Sequence, residues 1–228
     1  MQYIILKKFK ILHLCRMLNL KSFSFGPFQE NTYVLWDETD EAVIIDPGNS
    51  NNSENQLLKN FISDKNLKLK RLLLTHGHID HISGNRFVFD TYNLLPEVNV
   101  NDVPLIEKHS AIAAMYGLPC DESPLPEKYL NEGEIVKFGK TELEMIFTPG
   151  HSPGSITFYS RENNFIICGD VLFYGSIGRT DLPGGNYETL ISSIKEKLFS
   201  LGDEIKVYNG HGPATTIGFE KENNPFLV

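Results

Sequence analysis

Residues 72–81 read LLLTHGHIDH, so that three imidazoles and one carboxylate follow directly on a run of leucines. Alternate side chains of an extended segment point the same way, which lets His76 and His78 converge on one metal ion with Asp80 on the same side of the chain. If the backbone then turns into a helix, Asp80 and His81 both face a second ion. A polar surface loop is the alternative, but neutral imidazoles and carboxylates are the groups that bind divalent metals in proteins. The stretch therefore predicts a metal site at the end of a strand.

The same arrangement recurs at three later points, where an apolar strand and small or turn residues precede a metal-binding side chain. These side chains are His151, after residues 145–150, Asp170, after residues 165–169, and His211, after residues 207–210. Sheet proteins commonly build their sites at the carboxyl ends of strands, because the strands hold the geometry and the loops supply the chemistry. Five of the seven histidines belong to this pattern. We therefore expect all these groups to meet at one edge of a sheet.

The candidate ligands are too many for one tetrahedral ion, but they suit two ions that share Asp170 as a bridge. They are His76, His78, Asp80, His81, His151, Asp170 and His211. Nitrogen and oxygen donors admit zinc, iron or manganese, so the ligand types alone do not select the metal. We expect two divalent cations, with zinc as the first choice.

The pattern His-x-His-x-Asp-His at residues 76–81, with the later ligands in the same order, resembles the metallo-β-lactamase superfamily. Within it, the chain from residue 18 onward is similar to the glyoxalase II-like hydrolases. The resemblance implies an α/β fold, a four-layer αβ/βα sandwich with the site at the edge of two facing sheets. It also implies an assignment of the ligands: to one metal His76, His78 and His151, to the other Asp80, His81 and His211, and to both Asp170.

Two further segments resemble the shorter bacterial members of the glyoxalase II-like group, GRTDLPGG at 178–185 and GHGPATTIG at 210–218. Glyoxalase II itself grips glutathione with basic and tyrosine residues of a C-terminal helical region, whereas only residues 212–228 follow His211 here. The resemblance thus implies hydrolysis of a hydroxyacyl thioester, of glutathione or of another thiol. The alternatives are a persulfide dioxygenase with a single iron, whose sequences share the Gly-Arg-Thr-Asp segment, and a lactone or ester hydrolase of the same superfamily.

Two adjacent cations lower the pKa of a shared water from about 15.7 to near 7, which supplies a hydroxide nucleophile at neutral pH. We expect this hydroxide to attack a thioester carbonyl, with Asp80 and Asp170 as the catalytic carboxylates and Asp80 orienting the nucleophile. A thiolate leaves readily enough that no dedicated acid is required. Tyr174 and Arg179, on the Gly-rich loop that follows, are the candidates for substrate contact. Arg179 could instead pair with Asp181 and pin the loop.

Composition limits the partners of this chain of 228 residues, whose formal net charge is −8. An acidic surface repels phosphate backbones and anionic lipids, so we expect a small-molecule thioester or ester substrate rather than nucleic acid or a membrane. The three cysteines form no CxxC pair, which speaks against a disulfide framework and favours a reducing, cytoplasmic setting. The sequence does not indicate an oligomeric state.

Residues 17–228 contain strands with interspersed helices and no linker-like tract, and they predict one metallo-hydrolase domain. Lysines interrupt the apolar run of residues 1–16 before it reaches the length of a signal peptide. We therefore expect those residues to be an extension outside the core, as a start codon placed too far upstream would produce.

Apolar periodicity predicts strands within 18–36 and at 42–45, 69–74, 97–100, 135–147, 156–160, 165–168 and 205–208, and helices at 52–66, 82–93, 102–116 and 187–200. Ser53 is the expected N-cap of the first helix. Asp46 serves either as a turn residue or as the support of a metal ligand. His109 is expected at the surface or partly packed, and Cys168 as a small buried strand residue.

Overall fold

The computed structural model describes residues 18–118 and 120–228, so the predicted extension at 1–16 lies outside the described residues. The first sheet contains six strands in spatial order, β1 (Asn19–Phe25), β2 (Glu30–Trp36), β3 (Glu41–Ile45), β4 (Lys68–Leu73), β5 (Pro96–Val98) and β6 (Lys128–Tyr129). Strands β1 to β3 pair antiparallel, and β3 to β6 pair parallel. The parallel strands therefore end at the same edge of the sheet.

The second sheet also has six strands, in the spatial order β14-β13-β10-β9-β8-β7. In chain order these are β7 (Ile135–Phe138), β8 (Thr141–Phe147), β9 (Ile156–Ser160), β10 (Phe165–Ile167) and, after the two-stranded ribbon of β11 (Leu172–Phe173) and β12 (Ser176–Ile177), β13 (Lys206–Tyr208) and β14 (Thr215–Thr216). Strands β10 and β13 pair parallel, and all the other neighbours in this sheet pair antiparallel.

Helices cover the outer faces of both sheets. They are α1 (Asn52–Asp64), α2 (Ile79–Ile82), α3 (Asn85–Tyr92), α4 (Val103–Glu107), α5 (His109–Met115), α6 (Tyr187–Ser192) and α7 (Ile217–Asn223). The last turn of α6 continues as a π-helical segment, Ser193–Leu198. No helix in the described ranges combines the length and the apolar character that a bilayer crossing requires.

The alternation of side chains along the strands produces the layers. In β2, Tyr33 and Leu35 point into the core between the two sheets, where they join residues such as Phe158 of the second sheet. Val34, between them, points the other way and packs with Leu58 of α1. The second sheet packs its outer face on α6 and α7 in the same manner. This helix–sheet–sheet–helix order confirms the predicted four-layer αβ/βα sandwich, while the assignment of residues 17–228 to one domain stays a prediction.

The predicted strand at 135–147 is wrong in one respect, because it folds back on itself as the hairpin of β7 and β8. The turn contains Gly139, whose φ of +52° favours glycine. A Cβ atom at this position would also lie 2.4 Å from the carboxylate oxygens of Asp37. Only glycine fits both constraints.

Two helix predictions also need correction. The helix predicted at 102–116 is divided into α4 and α5, and α4 begins at Val103 with Pro104 in its first turn, where a missing N–H is tolerated. The N-cap of α1 is Asn51 instead of Ser53. Its side chain accepts hydrogen bonds from the main-chain N–H groups of Ser53 and Glu54, at 3.0 and 3.1 Å.

We expect the Phe158→Ala variant to lose about 3–5 kcal/mol of unfolding free energy, because the ring is fully buried between the sheets and its removal leaves a cavity. Urea denaturation of the parent and the variant measures the loss. The Leu57→Ala variant is the control, since that side chain is 53% exposed, and it should stay within about 0.5 kcal/mol of the parent. Equal losses in the two variants would contradict the described core.

Candidate metal centre

The predicted ligands all lie at the edge of the sandwich where strands of both sheets end. His76 and His78 follow β4, and Asp80 and His81 lie in α2, the short helix that comes next. The remaining three follow β8, β10 and β13, and are His151, Asp170 and His211. The fold thus brings together every residue that the sequence predicted as a ligand.

The first cluster contains His76, His78 and His151, whose candidate ligand atoms lie within 4.8 Å of one another. His78 Nδ1 is 2.8 Å from His151 Nε2. Burial lowers the pKa of His76 well below its usual value and that of His78 to about 3. Both rings are therefore neutral at pH 7, which is the form that binds a metal ion.

The second cluster contains Asp80, His81 and His211, whose candidate ligand atoms also lie within 4.8 Å of one another. His211 Nδ1 is 3.1 Å from the main-chain oxygen of Phe28, and its Nε2 is 3.1 Å from Asp80 Oδ2. Burial opposes protonation of His211, yet hydrogen bonds to Asp170 and Asp80 raise its pKa to about 10. The imidazole thus lies in a strongly negative field that attracts cations.

Asp170 lies between the two clusters. Its Oδ2 is 3.5 Å from Nε2 of both His151 and His211, and its Oδ1 is 3.2 Å from Nε2 of His81. Burial opposes ionisation of this carboxyl, but the neighbouring His81 and His211 hold its pKa well below the usual range. An ionised carboxylate that contacts both clusters has the geometry of the predicted bridge.

Three atoms at the centre are buried without a hydrogen-bond partner, namely His76 Nε2, His81 Nε2 and Asp170 Oδ1. Although only 3.2 Å separates the last two, they are not aligned as donor and acceptor. Buried polar atoms are nearly always partnered, so a group of such atoms at one point indicates a bound ion. Imidazole nitrogen and carboxylate oxygen suit zinc, iron or manganese. The side chains present thus fit two divalent metal ions.

A profile of the Metallo-beta-lactamase superfamily matches residues 25–211, a range that includes all the candidate ligands. The chain belongs to the metallo-beta-lactamase superfamily. It is 43% identical to the hydroxyacylglutathione hydrolase GloC of Haemophilus influenzae over 212 residues, which cover 92% of this chain and 98% of the relative. Membership confirms the family, the fold and the metal-binding character that the sequence predicted.

Two solved structures of this superfamily fold support the same conclusion. The BLEG-1 B3 metallo-beta-lactamase aligns with a TM-score of 0.85 and 35% identity, over 92% of this chain and 100% of that one. TTHA1623, solved in a di-iron-bound form, aligns with a TM-score of 0.81 and 38% identity, over 91% of this chain and 100% of that one.

In this superfamily member, Asp46 fulfils both roles that the sequence left open. Its φ of +52° turns the chain after β3, and its Oδ2 is 3.1 Å from His81 Nδ1. Asp46 also lies within 4.8 Å of His76 and His81 as a third group with metal-binding potential. However, its two oxygens accept hydrogen bonds from the N–H and the hydroxyl of Thr75, at 2.7 and 2.5 Å. Asp46 is therefore better suited to orient His81 than to bind an ion.

Glu30 also lies beside His81, and the sequence prediction missed it because it stands next to a turn of the first hairpin. The carboxyl is fully buried, and burial raises its pKa well above the usual range. One oxygen accepts a hydrogen bond from Thr32 Oγ1 at 2.8 Å, and the other lies 3.7 Å from His81 Nδ1. Two carboxyl groups, Glu30 and Asp46, thus flank the same ring nitrogen.

Asp102 joins the two loops that supply the first cluster. This fully buried side chain accepts hydrogen bonds from Gly77 N at 2.9 Å, Ser152 Oγ at 2.7 Å and Gly154 N at 2.5 Å. Gly77 lies between His76 and His78, and Ser152 follows His151. The sequence contained a signal for Asp102, since it follows the predicted strand at 97–100 as the candidate ligands follow theirs, but that pattern was interpreted as the start of a helix.

The candidates for substrate contact, Tyr174 and Arg179, lie on the Gly-rich segment between Asp170 and α6. The Arg179 guanidinium makes two hydrogen bonds of 2.7 Å to the Asp181 carboxylate, and its main-chain oxygen is 2.8 Å from His151 Nδ1. Tyr174 is 54% exposed and stacks on Phe219, with ring centroids 4.8 Å apart. The pairing of Arg179 that the sequence offered as an alternative is present, and a substrate contact of either residue stays a prediction.

Two further residues with sequence predictions, His109 and Cys168, lie outside the centre. His109, expected at the surface or partly packed, is buried, and its ring is hydrogen-bonded to the main chain of Ile79. Cys168 is buried at the end of β10, as expected.

We expect Asp102→Asn to weaken the binding of one metal ion by about 10- to 100-fold while leaving the other unchanged, because Asp102 contacts only the loops of the first cluster. The amide cannot accept all three hydrogen bonds, so both loops lose their fixed positions. Competition titration of the apo-protein with zinc and a chromophoric chelator measures the two affinities.

Asp37→Asn is the matched control for that experiment. Asp37 is a buried carboxylate that accepts hydrogen bonds from Thr39, Lys140 and Thr141, away from the centre. It should lose folding stability without a change in either affinity. Parental affinities in Asp102→Asn, or equal losses of affinity in both variants, would show that Asp102 has no specific role at the first cluster.

We expect metal binding at pH 8 to release at least one proton per chain. Asp170 and Asp80 raise the pKa of His211 to about 10, so a metal ion that takes Nε2 must displace a proton, and its affinity should rise with pH up to that value. Calorimetric titrations in two buffers of different ionisation enthalpy count the protons. A release of zero at pH 8 would contradict the described field around His211.

Proposed function

We propose that this protein is a metal-dependent hydrolase that cleaves the thioester bond of a hydroxyacyl thiol. The observation that carries the proposal is the pair of three-residue clusters joined by Asp170, because two closely spaced divalent ions are a common device for activating water. The identity of 43% to a hydroxyacylglutathione hydrolase, over nearly the whole length of both chains, supports a thioester as the substrate.

The proposed ligand sets follow the two clusters. One ion is held by His76, His78 and His151, the other by Asp80, His81 and His211, and Asp170 contacts both. Zinc is the first choice, while the di-iron form of TTHA1623 supports iron as an alternative. Bound at this position, two divalent ions lower the pKa of water to near 7 and polarise a carbonyl oxygen.

Asp80 is the side chain that we expect to act on the attacking water. The Asp80 side chain is 18% exposed and so can be reached from solvent. Burial opposes its ionisation, but His81 and His211 lower its pKa, so the carboxylate is available at pH 7 to orient the attacking water and accept its proton. The water oxygen forms a bond to the acyl carbon, the carbon–sulfur bond breaks, and the thiolate leaves without a dedicated acid.

Substrate contact is assigned to the rim. Arg179 adjoins the ligands through its main-chain oxygen, and the side chains of Arg179 and Tyr174 are exposed, as groups that meet a substrate must be. A cytoplasmic setting is part of the proposal, since Cys120 and Cys168 are free thiols that persist under reducing conditions.

We expect the zinc-loaded protein to hydrolyse S-lactoylglutathione or thioesters of other thiols, and Asp170→Ala or His151→Ala to lower kcat/KM at least about 100-fold, because the metal centre contributes several kcal/mol to the reaction. Thiol release, followed with a disulfide reagent, measures turnover. The control is Asp203→Ala, which removes a 70% exposed carboxylate that pairs with Lys221. Near-parental activity in either centre variant would refute the mechanism.

Iron-loaded protein, assayed beside the zinc-loaded protein, separates the alternatives. Uptake of oxygen with a persulfide, and no thiol release from thioesters, would indicate the persulfide dioxygenase reaction in place of hydrolysis. Turnover of lactones, esters or a β-lactam in the absence of thioester turnover would keep the metal centre but replace the substrate.

A further inference from the structure

Two aromatic side chains remain exposed beside the metal centre. Phe28 lies in the turn between β1 and β2, and Tyr116 follows α5; they are 40% and 52% exposed. Their rings meet edge to face, with centroids 5.8 Å apart and an interplanar angle of 89°. Adjacent apolar side chains that stay exposed commonly mark a contact site, because leaving apolar surface in water is unfavourable.

Phe28 is fixed directly to the second cluster. Its main-chain oxygen is 3.1 Å from Nδ1 of His211, one of the proposed metal ligands. Asn31, in β2, is also hydrogen-bonded to the residues that flank His211. Its main-chain N–H donates to the oxygen of Gly210 at 2.7 Å, and its side chain donates to the oxygen of Gly212 at 2.9 Å. The Phe28 ring therefore cannot move far from the centre.

Tyr116 extends the pair toward the first cluster. The pKa of Arg179 is raised mainly by its hydrogen bonds to Asp181, and Tyr116 is close enough to contribute to the same shift. The main-chain oxygen of Arg179 contacts Nδ1 of His151. The aromatic pair thus lies at the rim beside the loop of His211, within electrostatic range of Arg179.

The charge at this part of the rim disfavours an anionic group. Arg179 is the cation of the neighbouring loop, and its guanidinium is committed to Asp181 in a bidentate pair. A carboxylate placed here would have to compete with Asp181 for the same donors. An uncharged apolar group instead gains contact with two rings that are already in place.

We infer that Phe28 and Tyr116 form an aromatic subsite that packs on the apolar part of the substrate, and that the enzyme prefers thioesters with an uncharged aryl or alkyl substituent over those with a carboxylate at that position. This inference rests on the proposed thioester hydrolysis. Because both rings are held before the substrate arrives, the subsite acts on binding and leaves the bond-breaking step unchanged.

The test compares two lactoyl thioesters, one of benzyl mercaptan and one of 3-mercaptopropionate, together with a matched pair in which the acyl group carries the phenyl ring or the carboxylate. We expect Phe28→Ala and Tyr116→Ala each to raise KM for a phenyl substrate about 5- to 20-fold, with kcat within about twofold, as loss of apolar contact in a pocket does. KM for the carboxylates should stay unchanged. Whichever pair shows the effect identifies the side of the scissile bond that the rings contact.

Two further variants guard against indirect effects. Phe28→Leu keeps an apolar side chain and the main-chain contact to His211, so it should recover part of the loss. Tyr129→Ala removes a tyrosine of similar exposure, 46%, from the edge strand β6 and should leave all constants unchanged. Equal changes for phenyl and carboxylate substrates, or a parental KM in both alanine variants, would overturn the subsite.

A failure of the proposed function has a different signature. If the parent cleaves none of the four thioesters, the reaction assignment falls and the subsite is judged by binding alone. Calorimetry with zinc-loaded protein then compares benzyl mercaptan with 3-mercaptopropionate. Tighter binding of benzyl mercaptan that is lost in Phe28→Ala and Tyr116→Ala supports the subsite, and equal binding of the two thiols rejects it.

Discussion

The structure depends on five imidazoles and two carboxylates that lie together at one edge of the sandwich. Burying such groups is unfavourable unless each finds a partner, and three of the atoms at this point have none within the protein. Cations bound among these side chains would supply the missing partners for all three at once. The close packing follows from the same constraint, because a Cβ at Gly210 would lie 2.0 Å from Asp170 Oδ1 and 2.6 Å from His81 Cε1.

The support of the two clusters comes from separate parts of the chain. Asp102 connects the loops that carry the three-histidine cluster, whereas Asp46 and Glu30 flank the ring of His81 in the other cluster. Asp102 contacts the loops of the first cluster alone, whereas Asp46 reaches both clusters, because Thr75 Oγ1 donates to Asp46 and also lies 3.1 Å from His76 Nδ1. This division provides a physical route by which substitutions distant from the ligands affect one ion without the other.

The sequence was sufficient for the fold class and for the set of side chains that meet at this edge, because His76 to His81 are contiguous and every other candidate ligand follows an apolar strand. It was insufficient where function depends on packing between distant segments. Glu30 reads as a turn residue until the first hairpin is placed against His81, and Asp102 reads as a helix start until its loop meets Ser152. The hairpin turn at Gly139 likewise depends on the Asp37 carboxylate, which approaches from the other sheet.

The central claim is that the clustered side chains bind two metal ions side by side. Anomalous-scattering maps from crystals of the zinc-loaded protein test it most directly. The account predicts two peaks, one among His76, His78 and His151 and one among Asp80, His81 and His211, each at about 2.0–2.2 Å from its ligand atoms. A single peak, or zinc bound elsewhere with these side chains left without metal, would contradict it.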